Sequence, residues 1–171
     1  MNFISDFKPV MFLDIDGCLA TRKEYATNQQ KYWNKNTIAN ELKIPYPYNE
    51  KCVKIFNSIL KETDAQIILS SDWKHHWSLS EMDKIFKLNK ITKSPQDVTP
   101  DFNVSPNDLA RNRAYEIQSY ITKRRLWWYV VVDDLDLSPY FGIDKFVRTR
   151  ELEGFKQCGV KDKIVKIIGK R

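Results

Sequence analysis

The chain has 171 residues, which suits one domain with a hydrophobic core, and its 42% hydrophobic and 29% charged residues exclude an intrinsically disordered protein. Its formal net charge of +6 favours a polyanionic partner, because a basic surface attracts phosphate groups. No apolar run is long enough to span a bilayer, the N-terminus lacks a signal-peptide pattern, and the three cysteines form no Cys-x-x-Cys pair. We therefore expect a single cytoplasmic domain over residues 1–171, without a membrane segment, disulfides or a zinc site.

A short buried strand that ends in two carboxylates is the first motif in the chain. Val10–Leu13 is continuously apolar, and Asp14, Asp16 and Gly17 follow it at once. Ligands of open α/β folds bind at the carboxyl ends of such strands. Two neighbouring carboxylates repel each other unless a proton or a cation lies between them, and Mg²⁺ prefers oxygen ligands. The alternative is that one aspartate caps a helix and the other is solvated.

Residues 21–48 are polar and rich in aromatic side chains, and they form a small cap-like insertion or flap next to the two carboxylates. We expect a hairpin or a short helix around residues 35–42. Aromatic rings interleaved with Lys and Arg can stack on nucleobases and bind phosphates. The same residues can form a small hydrophobic cluster under a long loop, which is the more common use of aromatic side chains.

A second buried strand ends in hydroxyl groups. Apolar residues at helical spacing predict a helix over residues 49–63, and Gln66–Leu69 predicts the strand that completes a β-α-β unit. Ser70 follows this strand and can bind a phosphoryl oxygen, although a serine here can equally cap a helix or stabilise a turn. Ser71 and Lys74 lie directly downstream.

The middle of the chain carries two adjacent histidines, His75 and His76. They lack the spacing of metal-binding histidines, so we interpret them as surface or packing residues. Ser80 begins a pattern that resembles a capping box, which predicts a helix to about Leu88. Prolines and polar residues over 92–106 predict a loop with one short strand.

A third buried strand again ends in two carboxylates. Residues 107–123 predict a helix, and the aromatic and β-branched residues 127–132 predict the strand. Asp133 and Asp134 follow it directly. The pattern then predicts a last strand and a terminal helix, over residues 145–148 and 160–168.

These motifs, in this order, resemble the haloacid dehalogenase (HAD) superfamily of phosphatases, which use an aspartate as nucleophile. Residues 14–17 resemble its first motif, Ser70 its second, and residues 133–134 its fourth. The resemblance covers about residues 10–155. It implies a Rossmann-like α/β fold, with a central and mostly parallel sheet flanked by helices and with no large cap domain.

The third motif of this superfamily is a Lys or Arg on the helix that precedes the fourth motif. We assign it to Arg113 in preference to Arg111, Lys123 and Arg124. Around Arg113 and over residues 69–74, the chain is most similar to small HAD domains associated with RNA repair. The broader relationship includes the 3′-phosphatase domains of polynucleotide kinase-phosphatases.

The resemblance also implies a mechanism. Asp14 would attack phosphorus and form an aspartyl-phosphate, while Asp16 would protonate the leaving oxygen and then activate water. Ser70 and Arg113 would hold the phosphoryl oxygens. Mg²⁺ is the implied cofactor, and its ligands would be Asp14, Asp16 through its backbone carbonyl, Asp133 and Asp134. Three further residues are candidates for substrate binding, namely Gly17, Ser71 and Lys74.

The segments after the first and second motifs are too short to contain a large cap domain, so the site is expected to be open. By the resemblance to the HAD superfamily, an open site suits the phosphorylated end of a macromolecule. Together with the positive charge, this favours a phosphatase of nucleic-acid 3′ or 5′ ends. A nucleotidase for mononucleotides is the main alternative, with a stacking pocket formed by Tyr25, Tyr32 or Trp33. A non-catalytic module that binds a phosphorylated ligand is less favoured, since binding alone requires no Asp14 and Asp16 pair. An open site also leaves phosphoprotein phosphatase activity possible, and the sequence does not indicate an oligomeric state.

Overall fold

The computed structural model describes residues 8–169. A parallel sheet lies at its centre, with the strands β1 (Val10–Leu13), β2 (Gln66–Leu69), β3 (Asp97–Val98), β4 (Tyr129–Asp133) and β5 (Phe146–Arg148). Their order across the sheet is β3-β2-β1-β4-β5, and each neighbouring pair is parallel. The order reverses direction at β1, so the chain crosses to opposite sides of β1 to build the two halves of the sheet.

Helices connect the strands. They are α1 (Arg22–Tyr25), α2 (Gln29–Lys35), α3 (Thr37–Glu41), α4 (Glu50–Thr63), α5 (Leu79–Leu88), α6 (Leu109–Arg124) and α7 (Val160–Ile168). Two short 3₁₀ helices cover Asp72–His75 and Gly154–Lys156.

Alternating side chains of β1 supply both halves of the hydrophobic core. Met11 and Leu13 belong to a cluster that contains the apolar faces of α4, α5 and α7, whereas Val10 and Phe12 belong to a cluster with α6. Successive side chains of a strand point to opposite faces of the sheet, so helices must cover both faces. This explains why β1 is apolar at every position.

The strand register brings the predicted motifs to one edge of the sheet. Leu13 at the end of β1 is level with Leu69 of β2 and with Val132 of β4. The next residues along the three strands are Asp14, Ser70 and Asp133. Backbone hydrogen bonds continue this register, from Asp14 N to Val132 O at 3.1 Å and from Ser70 N to Leu13 O at 3.0 Å.

The start of α5 differs from the prediction, which placed the capping residue at Ser80. The N-cap is Ser78, whose backbone N–H donates to the Glu81 carboxylate at 2.8 Å while its hydroxyl accepts from Glu81 N. A capping box requires Glu or Gln three residues after the cap, and Ser78 meets this condition. Ser80 is followed at that spacing by the shorter Asp83.

Two other helices also differ from their predicted bounds, and local contacts explain the differences. The helix predicted over residues 107–123 begins at Leu109, because the Asp108 side chain accepts a hydrogen bond from Arg111 N and acts as its N-cap. The helix expected around residues 35–42 becomes α2 and α3, which are separated by the extended backbone of Asn36.

The segment between β1 and α4 contains the short helices α1, α2 and α3, and no large cap domain is present within residues 8–169. The predicted α/β fold with a central parallel sheet and flanking helices is therefore confirmed. None of the helices in this range is both long and apolar enough to cross a membrane.

Candidate active site at the carboxyl edge of the sheet

Gly17 turns the loop after β1 at a point where no side chain fits. Its φ angle is +71°, and an added Cβ atom would lie 2.5 Å from the carboxyl carbon of Asp134. Its N–H donates to Tyr25 Oη at 2.8 Å and to Ala20 O at 2.8 Å, while its carbonyl accepts from Thr149 Oγ1 at 2.8 Å. These contacts fix the loop that carries the first two carboxylates.

Three carboxylates from two strand ends form one cluster. Asp14, Asp133 and Asp134 each offer an oxygen atom, and these atoms all lie within 4.8 Å of one another. Asp133 is fully buried and Asp14 is 5% exposed, whereas Asp134 is half-buried. Oxygen donors at this separation form a suitable ligand set for a hard divalent cation.

The charges of the three carboxylates favour a bound cation at this cluster. Burial raises the pKa of Asp133 well above its ordinary value, and the neighbouring charge of Asp14 raises it further. Burial and Asp14 also raise the pKa of Asp134, to about 6. Since the carboxylates disfavour one another's ionised form, a divalent cation would offset their repulsion.

Arg113 of α6 joins the cluster from the side. Its guanidinium lies 2.9 Å from the Asp133 carboxylate, 2.8 Å from that of Asp72 and 3.4 Å from that of Asp14. The side chain is 6% exposed, whereas Arg111, two residues nearer the start of α6, is exposed. α6 therefore directs Arg113, of these two arginines, to the sheet edge.

Asp16 has a separate environment. Its carboxylate accepts hydrogen bonds from Tyr46 Oη at 2.8 Å and from Trp73 Nε1 at 3.1 Å. Burial raises the pKa of Asp16, and the charge of Asp14 adds to this effect, although the two hydrogen bonds oppose it. A carboxyl group with a raised pKa can carry a proton that it later donates.

The two serines after β2 differ in their contacts. Ser70 is fully buried, and its hydroxyl has no hydrogen-bond partner among the described residues. The Ser71 side chain accepts from Trp73 N at 3.4 Å and caps the 3₁₀ helix Asp72–His75. An unpaired buried hydroxyl is costly, so Ser70 is the serine whose environment favours a ligand.

Lys74, a predicted substrate-binding residue, is surrounded by protein oxygens. Its ammonium group donates to the Thr99 carbonyl and hydroxyl, to Pro100 O, and to the Glu116 carboxylate at 2.7 Å. It also lies 2.8 Å from the Asp101 carboxylate. These contacts connect the loop after β3 to α6, and they leave the role of Lys74 in substrate binding a prediction.

The structure thus brings together most of the predicted residues and adds others. Asp72, Tyr46 and Trp73 contact the site but were not predicted to do so. Asp72 and Trp73 follow the predicted Ser70 and Ser71 directly, so their position in the chain was the available signal. No local pattern indicates the contact of Tyr46 with Asp16.

Two grooves meet at Asp16 and Asp72, which line both of them. The first, which we name the acidic groove, has a volume of about 630 Å³ and is further lined by Asp14, Asp101, Phe102, Arg113, Glu116 and Asp134 among others. The second, which we name the aromatic groove, has a volume of about 490 Å³ and is further lined by Leu42, Lys43, Pro45, Tyr46, Trp73, His76 and Trp77.

Comparison with known proteins gives one family. The family model described as "HAD domain in Swiss Army Knife RNA repair proteins" matches residues 10–160. No curated protein and no solved structure matches the chain. The matched range includes all five strands and every side chain of the site described above.

Proposed function

Because the chain belongs to the family of HAD domains in Swiss Army Knife RNA repair proteins, which implies a phosphatase-type hydrolase, we propose that it is a Mg²⁺-dependent phosphatase acting on nucleic-acid ends. The observation that carries this proposal is that two aspartates of one loop have different surroundings, which suit a nucleophile and an acid. Asp14 lies in the carboxylate cluster beside Arg113, and Asp16 is held outside the cluster by Tyr46 and Trp73.

In the first proposed step, Asp14 attacks the phosphorus atom of a phosphomonoester. A bond forms between the Asp14 carboxylate oxygen and phosphorus, while the bond from phosphorus to the leaving oxygen breaks. Asp16 donates its proton to that oxygen, so the product leaves as an alcohol. The raised pKa of Asp16 supports this role, since a group must hold a proton before it can donate one.

In the second step, a water molecule attacks the phosphorus of the aspartyl-phosphate. Asp16, now a carboxylate, accepts a proton from this water, and the bond between phosphorus and the Asp14 oxygen breaks. Inorganic phosphate is released and both aspartates return to their first state. The same residue thus serves as acid and then as base.

The carboxylate cluster suits a divalent metal, since burial and the charge of Asp14 raise the pKa values of Asp133 and Asp134. We propose that Asp14, Asp133, Asp134 and the backbone carbonyl of Asp16 would hold Mg²⁺, which when bound would offset the negative charge of the phosphoryl group and the nucleophile. Arg113 acts with it by binding phosphoryl oxygens, and Asp133 and Asp72 hold the guanidinium in place.

Ser70 is proposed to donate its buried hydroxyl to a phosphoryl oxygen, which would give this group the partner that it lacks in the described chain. Gly17 and Ser71 remain proposed substrate-binding residues through their backbone positions near Asp134 and Trp73. For Lys74 we propose a positioning role, because its bonds to Glu116 hold a wall of the acidic groove.

We propose that residues 21–48 form a small flap of the same domain. Tyr25 Oη accepts a hydrogen bond from Gly17 N, and Tyr46 Oη donates to Asp16, so this segment contacts both sides of the loop after β1. Its rings also contact each other, with the Tyr25 and Tyr46 centroids 5.0 Å apart. The flap therefore supports the proposed acid and leaves the carboxylate cluster open.

The experiment that tests the function is phosphate release in the presence of Mg²⁺ from four substrates: 3′-phosphorylated and 5′-phosphorylated oligonucleotides, mononucleotides, and p-nitrophenyl phosphate. Asp14→Asn should abolish release from all of them while circular dichroism shows a retained fold. Asp136→Asn is the matched control, because Asp136 lies outside the carboxylate cluster and is exposed.

A preference of about tenfold or more for one oligonucleotide end, which is about 1.4 kcal/mol in transition-state binding, would support the nucleic-acid assignment. A preference for mononucleotides would indicate a nucleotidase instead. Release that persists in Asp14→Asn would disprove the nucleophile, and binding of substrates without any release would indicate a non-catalytic module.

A further inference from the structure

Two grooves lead away from the proposed catalytic aspartates, and their charges differ. Apart from the shared Asp16 and Asp72, four further carboxylates line the acidic groove, those of Asp14, Asp101, Glu116 and Asp134. Arg113 and Lys74 offset only part of this negative charge, so carboxylates outnumber cations along the groove. Arg113 lies 2.9 Å from the Asp133 carboxylate, and the Lys74 ammonium group pairs with Asp101 and Glu116. The backbone of a nucleic acid carries one negative charge per nucleotide, so this groove repels the strand beyond its terminal phosphate.

The aromatic groove has fewer carboxylates than the acidic groove, and a lysine lines it. Lys43 is exposed there, and its ammonium group contacts the Asn40 amide oxygen at 2.9 Å and the Trp33 ring at 4.8 Å, with no carboxylate within ion-pair distance in the described residues. Apart from the shared Asp16 and Asp72, no acidic side chain lines it. It can therefore accept a phosphate that the acidic groove would repel.

Aromatic rings form a continuous path along this second groove. The ring centroids of Tyr46 and Trp73 are 5.8 Å apart, those of Trp73 and Trp77 are 4.7 Å apart, and those of Trp77 and His76 are 5.6 Å apart. Tyr46 and Trp77 are half-buried and His76 is exposed, so each presents part of its ring to the groove. Nucleobases stack on such rings with little dependence on sequence.

The proposed acid connects this groove to the reaction. The donors that hold Asp16 are Tyr46 and Trp73, and both line the aromatic groove. The leaving oxygen takes its proton from Asp16, so the sugar that carries this oxygen must lie beside Asp16. Asp16 lines both grooves, and the smaller number of carboxylates in the aromatic groove favours that groove for the nucleotide attached to the terminal phosphate.

We propose that the aromatic groove binds the unpaired terminal nucleotides of a single-stranded nucleic acid, with Tyr46, Trp77 and His76 against the bases or sugars and Lys43 on a backbone phosphate. This inference rests on the proposed phosphatase function. It adds that the substrate is single-stranded at its phosphorylated end and that its strand lies in the aromatic groove. Successive bases can lie along these rings only when they are unpaired, so the groove selects single strands or overhangs over blunt duplex ends.

The test compares kcat/KM for a phosphorylated single strand, the same end in a blunt duplex, and p-nitrophenyl phosphate. In the Lys43→Ala/His76→Ala variant, the ratio of kcat/KM for the single strand to that for p-nitrophenyl phosphate should fall at least about tenfold. Lys90→Ala is the matched control, because Lys90 is also exposed, follows a helix and has a positive φ angle, but lies outside the groove.

Binding gives a second readout that does not depend on turnover. The affinity of Asp14→Asn for a fluorescent single strand should fall when Lys43→Ala is added. The slope of log affinity against log salt should also become shallower, by about 0.7 for one lost phosphate contact. A merely structural role of Lys43 would leave this slope unchanged.

The outcomes separate the inference from the function on which it rests. The inference is overturned if Lys43→Ala/His76→Ala leaves the substrate ratio and the salt slope unchanged, if blunt duplex ends are hydrolysed as fast as single strands, or if Phe102→Ala in the acidic groove has the selective effect instead. If the unaltered chain releases no phosphate from any substrate, the proposed phosphatase function is disproved. The binding measurement still shows whether the aromatic groove binds single strands.

Discussion

Asp14 and Asp16 are two residues apart, yet their surroundings differ in a way that suits two chemical roles. Asp14 faces a guanidinium and two other carboxylates, whereas Asp16 faces two hydrogen-bond donors of aromatic side chains. In many enzymes, two nearby carboxyl groups act as acid and nucleophile because their environments give them different pKa values. Tyr46 is therefore as informative about mechanism as the aspartates themselves.

At the residue scale, Tyr46→Phe should lower kcat/KM about tenfold or more, because a hydrogen bond to a charged group contributes about 1.5–3 kcal/mol. The 2.8 Å bond to Asp16 is lost while the ring remains. Steady-state kinetics with p-nitrophenyl phosphate checks this. Tyr32→Phe in the same flap is the control, and an equal loss in both variants would argue against a specific role for Tyr46.

Gly17 gives a second residue-scale prediction, with Gly159 as its match. Both have positive φ angles, so replacing either with alanine should lower the free energy of unfolding by about 1 kcal/mol. Only at Gly17 does the added Cβ meet another group, the Asp134 carboxyl at 2.5 Å, while at Gly159 nothing lies within 4 Å. Isothermal titration should therefore show weakened Mg²⁺ binding in Gly17→Ala alone, and equal binding in both variants would contradict this account.

At the scale of elements, α6 determines which arginine reaches the sheet edge. Its N-cap at Asp108 sets the helical phase, and this phase buries Arg113 and exposes Arg111. The buried guanidinium is surrounded by three carboxylates, which together raise its pKa although burial opposes this. The charge of Arg113 is thus retained in the interior.

Arg113→Ala should reduce activity by about 10²-fold or more, as expected when one preorganised electrostatic contact is lost, and Arg111→Ala should change it little. Phosphate release measures both. Arg113→Ala also leaves Asp133 buried without its cation, so Arg113→Lys, which retains a charge, provides a variant in which folding is less affected. Greater loss of activity in Arg111→Ala would move the third motif to Arg111.

At the scale of the whole molecule, the parallel sheet stores unfavourable electrostatic energy at its carboxyl edge. Three strand ends place acidic or polar groups side by side, and the apolar clusters on both faces hold them there. The fold is stabilised by its core and not by this edge, where burial and the charge of Asp14 raise the pKa values of Asp133 and Asp134.

Mg²⁺ should therefore raise the melting temperature by several degrees. A cation at a hundred times its dissociation constant adds about 2.7 kcal/mol, and about 2–4 °C is expected for each kcal/mol in a protein of this size. Differential scanning fluorimetry with and without EDTA measures the shift. Asp134→Asn should reduce it strongly while Asp136→Asn retains it, and an equal shift in both variants would place the metal elsewhere.

The sequence by itself determined the strands and the residues that end them. Continuous apolar runs that stop at Asp14, Ser70 and Asp133 predict buried parallel strands with polar carboxyl ends, since this pattern depends on neighbours along the chain. For the same reason the sequence predicted a central, mostly parallel sheet and membership of the HAD superfamily, and both predictions are confirmed.

Only the tertiary structure decided which distant side chains complete the site. Tyr46 and Trp73 lie 30 and 57 residues from Asp16 along the chain, and no local pattern connects them to it. Packing also places the Lys74 ammonium group against the Glu116 carboxylate, a contact that no local sequence pattern indicates. Contacts of this kind depend on how flap, 3₁₀ helix and sheet fit together in space, whereas hydrophobic periodicity reports only the face that each element buries.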